Sequence, residues 1–251
     1  MQNMKVKRAI IVGASSGIGA ELALTLAREG YQLVLLARRE EKLKTLCQRI
    51  RSEIREGLAR FIVHDVTDFD SVPMDFLQAI ELLGGLDLIV FNSGVLIPTG
   101  KHEFNFSKDM EVMQTNILGA MAWLNQAAAY FQSQGRGQIV GISSVGGERG
   151  RSGAPAYNTS KAAFNTYLES LRNRLSRYGV HILTVKPGFI STDMLQNAGA
   201  SFWVAPVETA VSDIWRGIRQ RRQEIYTPGR WRWIAWFLRH APSSLMRRLA
   251  V

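Results

Sequence analysis

Arg8-Ala9-Ile10-Ile11-Val12 runs directly into Gly13-Ala14-Ser15-Ser16-Gly17-Ile18-Gly19, after which Leu22, Ala23, Leu26 and Ala27 recur at helical spacing. The first five residues are apolar and mostly β-branched, the pattern of a strand buried on both faces. The next seven form a glycine turn, and the repeat beyond them is the inner face of a helix. Strand, glycine turn and helix in that order are the context in which a glycine-rich loop holds a dinucleotide. Gly13 permits the tight turn, Gly17 lets the backbone approach a pyrophosphate, and Gly19 allows close helix–strand packing. Ser15, Ser16 and Ile18 complete the loop, whose free N–H groups and positive helix end face the phosphates.

Outward from this stretch, short apolar runs alternate with helical patterns along the whole chain. The periodicity predicts strands over 7–12, 31–37, 59–64, 86–91, 137–143, 180–186 and 224–226, and helices over 17–29, 39–56, 70–83, 107–133, 155–178 and 206–222. Such alternation predicts an α/β fold, doubly wound, with one mostly parallel seven-stranded sheet flanked by helices. Right-handed crossovers then bring the C-terminal ends of the strands to one rim, where ligands bind at the switch point. A chain of 251 residues suits one such domain, over 1–228, followed by a basic amphipathic extension over 229–251 that is not an independent domain. Hydrophobic residues make up 46%, ordinary for a soluble enzyme. Cys47 is the only cysteine, which points to a reducing, cytoplasmic location. Lys5, Lys7 and Arg8 before an apolar run mimic a secretory leader, but the run is too short and ends at glycines with a better explanation. No uninterrupted apolar run reaches the ~18 residues of a membrane-spanning helix.

A second constellation carries the chemistry. Tyr157 and Lys161 lie one helical turn apart, thirteen positions after Ser144, and Ala162, Ala163, Phe164, Tyr167, Leu168 and Leu171 supply an apolar helix face behind them. A phenol alone holds its proton to about pH 10. An ammonium one turn away is expected to lower that value and make the phenol a usable proton donor. By itself the pair is equally compatible with two solvated residues on an ordinary helix.

Together the two features resemble the short-chain dehydrogenase/reductase family, whose Rossmann fold covers nearly the whole chain. The glycine stretch is similar to the family's T-G-x-x-x-G-I-G, with Val12 in place of Thr. Phe91-Asn92-Ser93-Gly94 resembles its N-N-A-G turn, departing at Phe91 and Ser93. Asn116 falls at the family's helix asparagine, Ile142-Ser143-Ser144 at its serine strand, and Pro187-Gly188 with Ile190 and Thr192 at its P-G-x-x-x-T segment. The resemblance implies a catalytic set of Asn116, Ser144, Tyr157 and Lys161. Tyr157 would donate the proton. Ser144 would orient and polarise a carbonyl, Lys161 would lower the phenol's pKa and grip the nicotinamide ribose, and Asn116 would hold a water beside Lys161. Asn92, Gly94, Asp65 and Val66 fall at cofactor-holding positions, the last two beside the adenine. The departures at Val12 and Phe91 concern turn-bracing contacts and leave proton transfer untouched.

The second predicted strand ends at Ala37-Arg38-Arg39 with no acid. An NAD enzyme usually places Asp or Glu here for the ribose hydroxyls. A guanidinium instead binds a 2′-phosphate through charge-assisted bonds, so NADP(H) is the expected cofactor, with NAD(H) also admissible. The same two arginines also read as the start of a charged helix. His64, His102, His181 and His240 lack carboxylate or cysteine partners at ligand spacing, so no metal site is expected. A Ser–Lys hydrolase is disfavoured by the cofactor loop and the lack of a nucleophile elbow.

Residues 216–251 hold nine arginines and a single acid, Glu224, accounting for most of the formal +10. From Arg230 to His240 the pattern is amphipathic, with Arg232 and Arg239 on one face and Trp233, Ile234, Phe237 and Leu238 on the opposite arc. Leu245, Met246 and Leu249 continue it after Pro242, around Arg247 and Arg248. Arginine and tryptophan on such a helix suit either packing on the protein body or contact with an anionic bilayer; no nucleic-acid-reading motif is present. This C-terminus and Ser143-Ser144-x-x-Gly147-Glu148-Arg149 are similar to reductases acting on polyprenyl-phosphate-linked keto-sugars, which implies a lipid-linked or otherwise apolar carbonyl substrate. An apolar lid containing Met194, Leu195, Phe202 and Trp203 fits that implication as well as it fits a small ketone. The expected function is therefore NADPH-dependent reduction of a ketone or aldehyde. The rival is a catalytically silent NADP-binding regulator on the same fold, disfavoured by the intact Ser144/Tyr157/Lys161 set. Apolar faces on the helices over 107–133 and 155–178 suit a homodimer or homotetramer.

Overall fold

The computed structural model of the chain describes residues 6–100, 102–197 and 201–249. Met1–Lys5, which entered the leader comparison, and the side chains beyond Met246 lie outside the described residues. Seven strands form one sheet: β1 (Lys7–Val12), β2 (Tyr31–Ala37), β3 (Ala59–Val63), β4 (Leu88–Phe91), β5 (Gly137–Ile142), β6 (Val180–Pro187) and β7 (Glu224–Thr227). Their spatial order is β3-β2-β1-β4-β5-β6-β7, and every neighbouring pair is parallel. The order reverses between β1 and β4, so the loop leaving Val12 opens at the switch point, with Val12 in register with both Leu36 and Phe91.

Period-two alternation sorts the core into two layers. Ala9, Ile11, Leu33, Leu35, Val90 and Val140 face one side, under α1 (Gly17–Arg28), α2 (Glu40–Glu53) and α7 (Val207–Arg219). Ile10, Val12, Val34, Leu36, Ile89 and Ile139 face the other, under α3 (Val72–Leu83), α5 (Gly119–Gln134) and α6 (Pro155–Leu175). Both faces are covered, which is why these strands read as continuous apolar runs. Among the described residues no helix is long and apolar enough to cross a membrane.

Two elements differ from the sequence expectation. The helix expected over 107–133 is divided into α4 (Phe106–Met113) and α5 by a π-helical turn, Gln114–Leu118, that carries Asn116. The C-terminal extension forms α8 (Trp231–His240) and α9 (Ser243–Leu249), broken at Pro242, and its buried face is not the expected arc. Trp231 and Ala235 are buried, with Ile234 and Leu238 half-buried beside them, whereas Trp233 and Phe237 are exposed. Arg239, expected on the solvated face, turns inward to the buried Glu148 carboxylate. The helix is rotated because Trp231 anchors on Gly188 and Arg239 on Glu148.

Candidate active site

The glycine loop fits its neighbours closely enough to exclude side chains. Gly13 has φ +89°, and a Cβ there would lie 2.5 Å from the Ser93 nitrogen. A Cβ on Gly19 would lie 2.2 Å from the Gly13 carbonyl oxygen and 2.7 Å from Asn92 Nδ2. Asn92 Nδ2 donates to that carbonyl at 2.7 Å, and the Asn92 and Ser93 backbone N–H groups donate to Val12 at 2.8 and 3.1 Å. The backbone thus braces the turn at Val12, where the family has Thr. Gly17 sits against the Thr192 methyl. Arg39 bridges the loop from the end of β2, donating to Ser15 Oγ at 2.8 Å and Ser16 Oγ at 2.7 Å. Arg38 faces Asp65 at 3.7 Å. Burial pushes the Asp65 carboxyl up, but hydrogen bonds from Thr67 and the Arg38 charge outweigh it and hold it below the usual range. β2 ends at Ala37 with no acid, so where an NAD site would place one stand the Arg38 guanidinium, facing Asp65, and the Arg39 guanidinium, held on the Ser15 and Ser16 hydroxyls.

Ser144 follows β5, and its Oγ accepts from the Gly146 N–H at 2.9 Å. Tyr157 and Lys161, both buried, project from the first turns of α6, which Pro155 opens. Here the electrostatics depart from expectation. Burial raises the Tyr157 pKa above 10; the groups that oppose the rise are Ser144, by hydrogen bonding, and Arg151, by charge, not Lys161. The Lys161 ammonium instead donates to the Ile142 carbonyl at 3.1 Å and lies 5.9 Å from the centre of the Tyr157 ring. Desolvation pulls it down to about 8. The phenol is therefore a protonated acid at neutral pH beside a weakened ammonium.

Asn116 is fully buried and stands one layer behind the cavity. Its Oδ1 accepts from the Val95 N–H at 2.7 Å; its Nδ2 donates to the Val95 carbonyl at 2.9 Å and to Ser160 Oγ at 3.0 Å, and Ser160 Oγ in turn donates to the Tyr157 carbonyl. Both amide donors are spent on this brace, which ties the 94–95 segment to α6. Gly94 makes room: a Cβ there would lie 3.3 Å from Asn116 Oδ1 and 3.4 Å from Lys161 Nζ.

One cavity of about 510 Å³ joins these groups. Its lining includes Gly13, Ser15, Ser16, Gly17, Ile18, Arg38, Arg39, Val66, Asn92 and Gly94, and also Ser144, Tyr157, Lys161, Pro187, Gly188, Ile190 and Thr192. Of the residues read as site residues, only Gly19, Asp65 and Asn116 stay outside it. His64 also lines the cavity, with both nitrogens engaged: Nδ1 with Asp75 at 2.7 Å, and Nε2 accepting from Trp123 at 2.9 Å. Among the described residues no three His, Cys, Asp or Glu side chains group together at a metal-sized site.

The far wall was legible only in part: the sequence marks Phe202 and the C-terminal apolar arc, but not Phe189 or Trp231 or their junction. Phe189, Phe202 and Trp231 pack with ring centres 5.3–5.5 Å apart, and Ile234, Phe237, Leu238 and Met246 close the cavity from the C-terminal helices. A latch fixes this roof. Glu148 accepts from Lys186 Nζ and from the Tyr226 hydroxyl, each at 2.9 Å, and pairs with Arg239; Lys186 also pairs with Glu224. Arg149 donates to the Leu238 carbonyl at 3.3 Å and to Ser243 Oγ at 3.1 Å. Among the described residues, the Nε atom of Arg151 and the Nε1 atom of Trp231 are buried without a hydrogen-bond partner.

The family profile described as short chain dehydrogenase matches residues 7–201. An uncharacterized oxidoreductase of Myxococcus xanthus is 35% identical over 195 residues, covering 77% of this chain and 76% of the relative. Dehydrogenase/reductase SDR family member 7B of Xenopus tropicalis is 30% identical, covering 88% and 76%. An uncharacterized oxidoreductase of Mycobacterium tuberculosis is 28% identical over 250 residues, 97% of each chain, so its match takes in α8. The crystal structure of a short-chain type dehydrogenase/reductase from Mycobacterium marinum superposes with a TM-score of 0.79 at 25% identity, over 88% of this chain and 93% of that one. The profile, the relatives and the parallel sheet agree: the chain belongs to the short-chain dehydrogenase/reductase family of NAD(P)-dependent oxidoreductases.

Proposed function

We propose that the protein is an NADP(H)-dependent reductase that converts a ketone or aldehyde with an apolar or lipid-linked body to the alcohol. The observation that carries this reading is the position of Tyr157 and Ser144 within one cavity, between the Arg38/Arg39 end and the aromatic wall. Gly13 and Gly19 let the loop close tightly on its neighbours, Gly17 lines the cavity at the start of α1, and the Arg38 and Arg39 guanidinium groups beside it suit a 2′-phosphate, so the residues fit the dinucleotide. When bound, the nicotinamide supplies the hydride that reduces the carbonyl carbon. Tyr157, protonated at neutral pH because burial raises its pKa, gives its proton to the carbonyl oxygen. Ser144 supplies a hydrogen bond that orients that oxygen. The Lys161 ammonium, still mostly charged at neutral pH, faces the phenolate that remains.

The same reading includes the C-terminal helices in the catalytic unit rather than as a separate domain, and places the enzyme in the cytoplasm as a homodimer or homotetramer. The reading is tested by following NADPH consumption across a panel of short- and long-chain ketones and aldehydes, with NADH in parallel. Turnover with NADPH well above NADH is expected. Tight NADPH binding with no turnover on any member would favour a silent regulator instead.

A further inference from the structure

The roof has an outer face as well as an inner one. Trp233 and Trp236 of α8 are 65% and 60% exposed, and Trp203 in the 201–206 segment is 55% exposed. These tryptophans stand with arginines. The Arg232 guanidinium lies 4.8 Å over the Trp233 ring and that of Arg230 5.4 Å over the Trp203 ring. Arg230 also donates to the Trp203 carbonyl at 2.9 Å, tying the segment and the helix into one surface. Phe202 and Phe237 are themselves exposed and also line the cavity, so the patch surrounds the mouth of the substrate site. Residues 229–251 carry five arginines and no acid. An exposed aromatic patch of this kind marks an interaction surface. Indole rings set among guanidinium groups match the boundary of a bilayer, and the exposed Arg230 and Arg232 guanidinium groups are complementary to anionic headgroups.

We infer that this patch docks on an anionic lipid bilayer and that the cavity takes its carbonyl substrate, a compound with a long apolar chain, directly from the lipid phase. The loading step rests on the catalytic reading of the cavity; the docking does not. The aromatic rim of Phe202 and Phe237 joins the lipid-facing patch to the apolar wall at Phe189, Trp231 and Leu238, giving an apolar chain a continuous route that avoids water.

The test uses the full chain with vesicles of phosphatidylcholine, with and without phosphatidylglycerol, and the variant Trp233→Ser/Trp236→Ser. Neither tryptophan lines the cavity. Co-sedimentation is expected with anionic vesicles at low salt, weakened by roughly tenfold or more in the variant and by high salt. NADPH binding, followed by fluorescence in the same samples, is expected to be unchanged. A fatty aldehyde carried in anionic vesicles should be reduced with a KM raised about tenfold in the variant, while a short water-soluble aldehyde shows no difference. Equal sedimentation of wild type and variant would overturn the inference. So would a wild type that ignores vesicles and self-associates through the patch, with the variant turning monomeric. Sedimentation with anionic vesicles but no NADPH binding would uphold docking and overturn the catalytic reading alone.

Discussion

The floor and the roof of the cavity are built on opposite physical terms. The floor is backbone: glycines at positive φ, carbonyls already bonded, and contacts at which a single added carbon collides with a main-chain atom. It lies within the stretch shared with the family. The roof is side chain: aromatic rings, leucines and a charged latch joining residues 91 positions apart, Glu148 and Arg239. On the proposed reading, a backbone floor suits one ligand, the dinucleotide, with little room to vary, whereas a side-chain roof can be altered by substitution and still close, so substrate choice would sit with the roof.

The sharpest break in that comparison is Gly19→Val. The new side chain meets the Gly13 carbonyl and the Asn92 amide, so NADPH binding is expected to vanish in fluorescence titration. Retained binding would mean the floor yields. On the roof, Glu148→Gln leaves Lys186 and Arg239 short of their shared carboxylate and should cost roughly 3–5 kcal/mol in denaturant unfolding, with faster proteolysis of the C-terminal helices. NADPH affinity should hold; a parallel loss would couple the two walls. Hydrogen bonds and its cationic partners hold the Glu148 carboxyl below its usual range despite burial. The wild type should therefore keep the latch's contribution above the ordinary carboxylate pKa and lose it as pH falls through the lowered one.

Smaller effects refine the floor. Arg38→Ala/Arg39→Ala removes charge-assisted bonds worth about 1.5–3 kcal/mol, and should lower NADPH affinity by roughly 10- to 100-fold while sparing NADH. An equal drop for both cofactors would assign the arginines to loop bracing through Ser15 and Ser16 alone. The smallest stability effect is that of Lys161. Its folded-state pKa of about 8 lies below the ordinary lysine value of 10.5, so the unfolded chain binds more protons between those values and stability should rise with pH across that window. Lys161→Met should abolish that rise and gain about 1–3 kcal/mol at neutral pH, while losing turnover. An identical pH–stability curve in wild type and variant would contradict the desolvation.

Much of the floor was legible because its signals are local. Glycines 13, 17 and 19 sit in one short loop, Tyr157 and Lys161 lie one helical turn apart, and each buried strand is an uninterrupted apolar run. The roof was legible in its apolar residues but not in which face they bury, for a geometric reason. In α8, Trp231 and Trp233 both fit an apolar stripe, and which one is buried depends on Gly188 and Glu148, remote in sequence. The brace role of Asn116 depends on a π-helical turn for which its sequence carries no marker. The hydrogen bond from Lys161 to the Ile142 carbonyl and the desolvation of its ammonium come from burial, which spacing does not report.

The most direct measurement is turnover by Tyr157→Phe on a carbonyl compound that the wild type reduces, with NADPH binding followed alongside. With the hydroxyl deleted and the ring retained, kcat should fall by about 10²–10⁴-fold at unchanged NADPH affinity. Full turnover by this variant would contradict the assignment of Tyr157 as the proton donor.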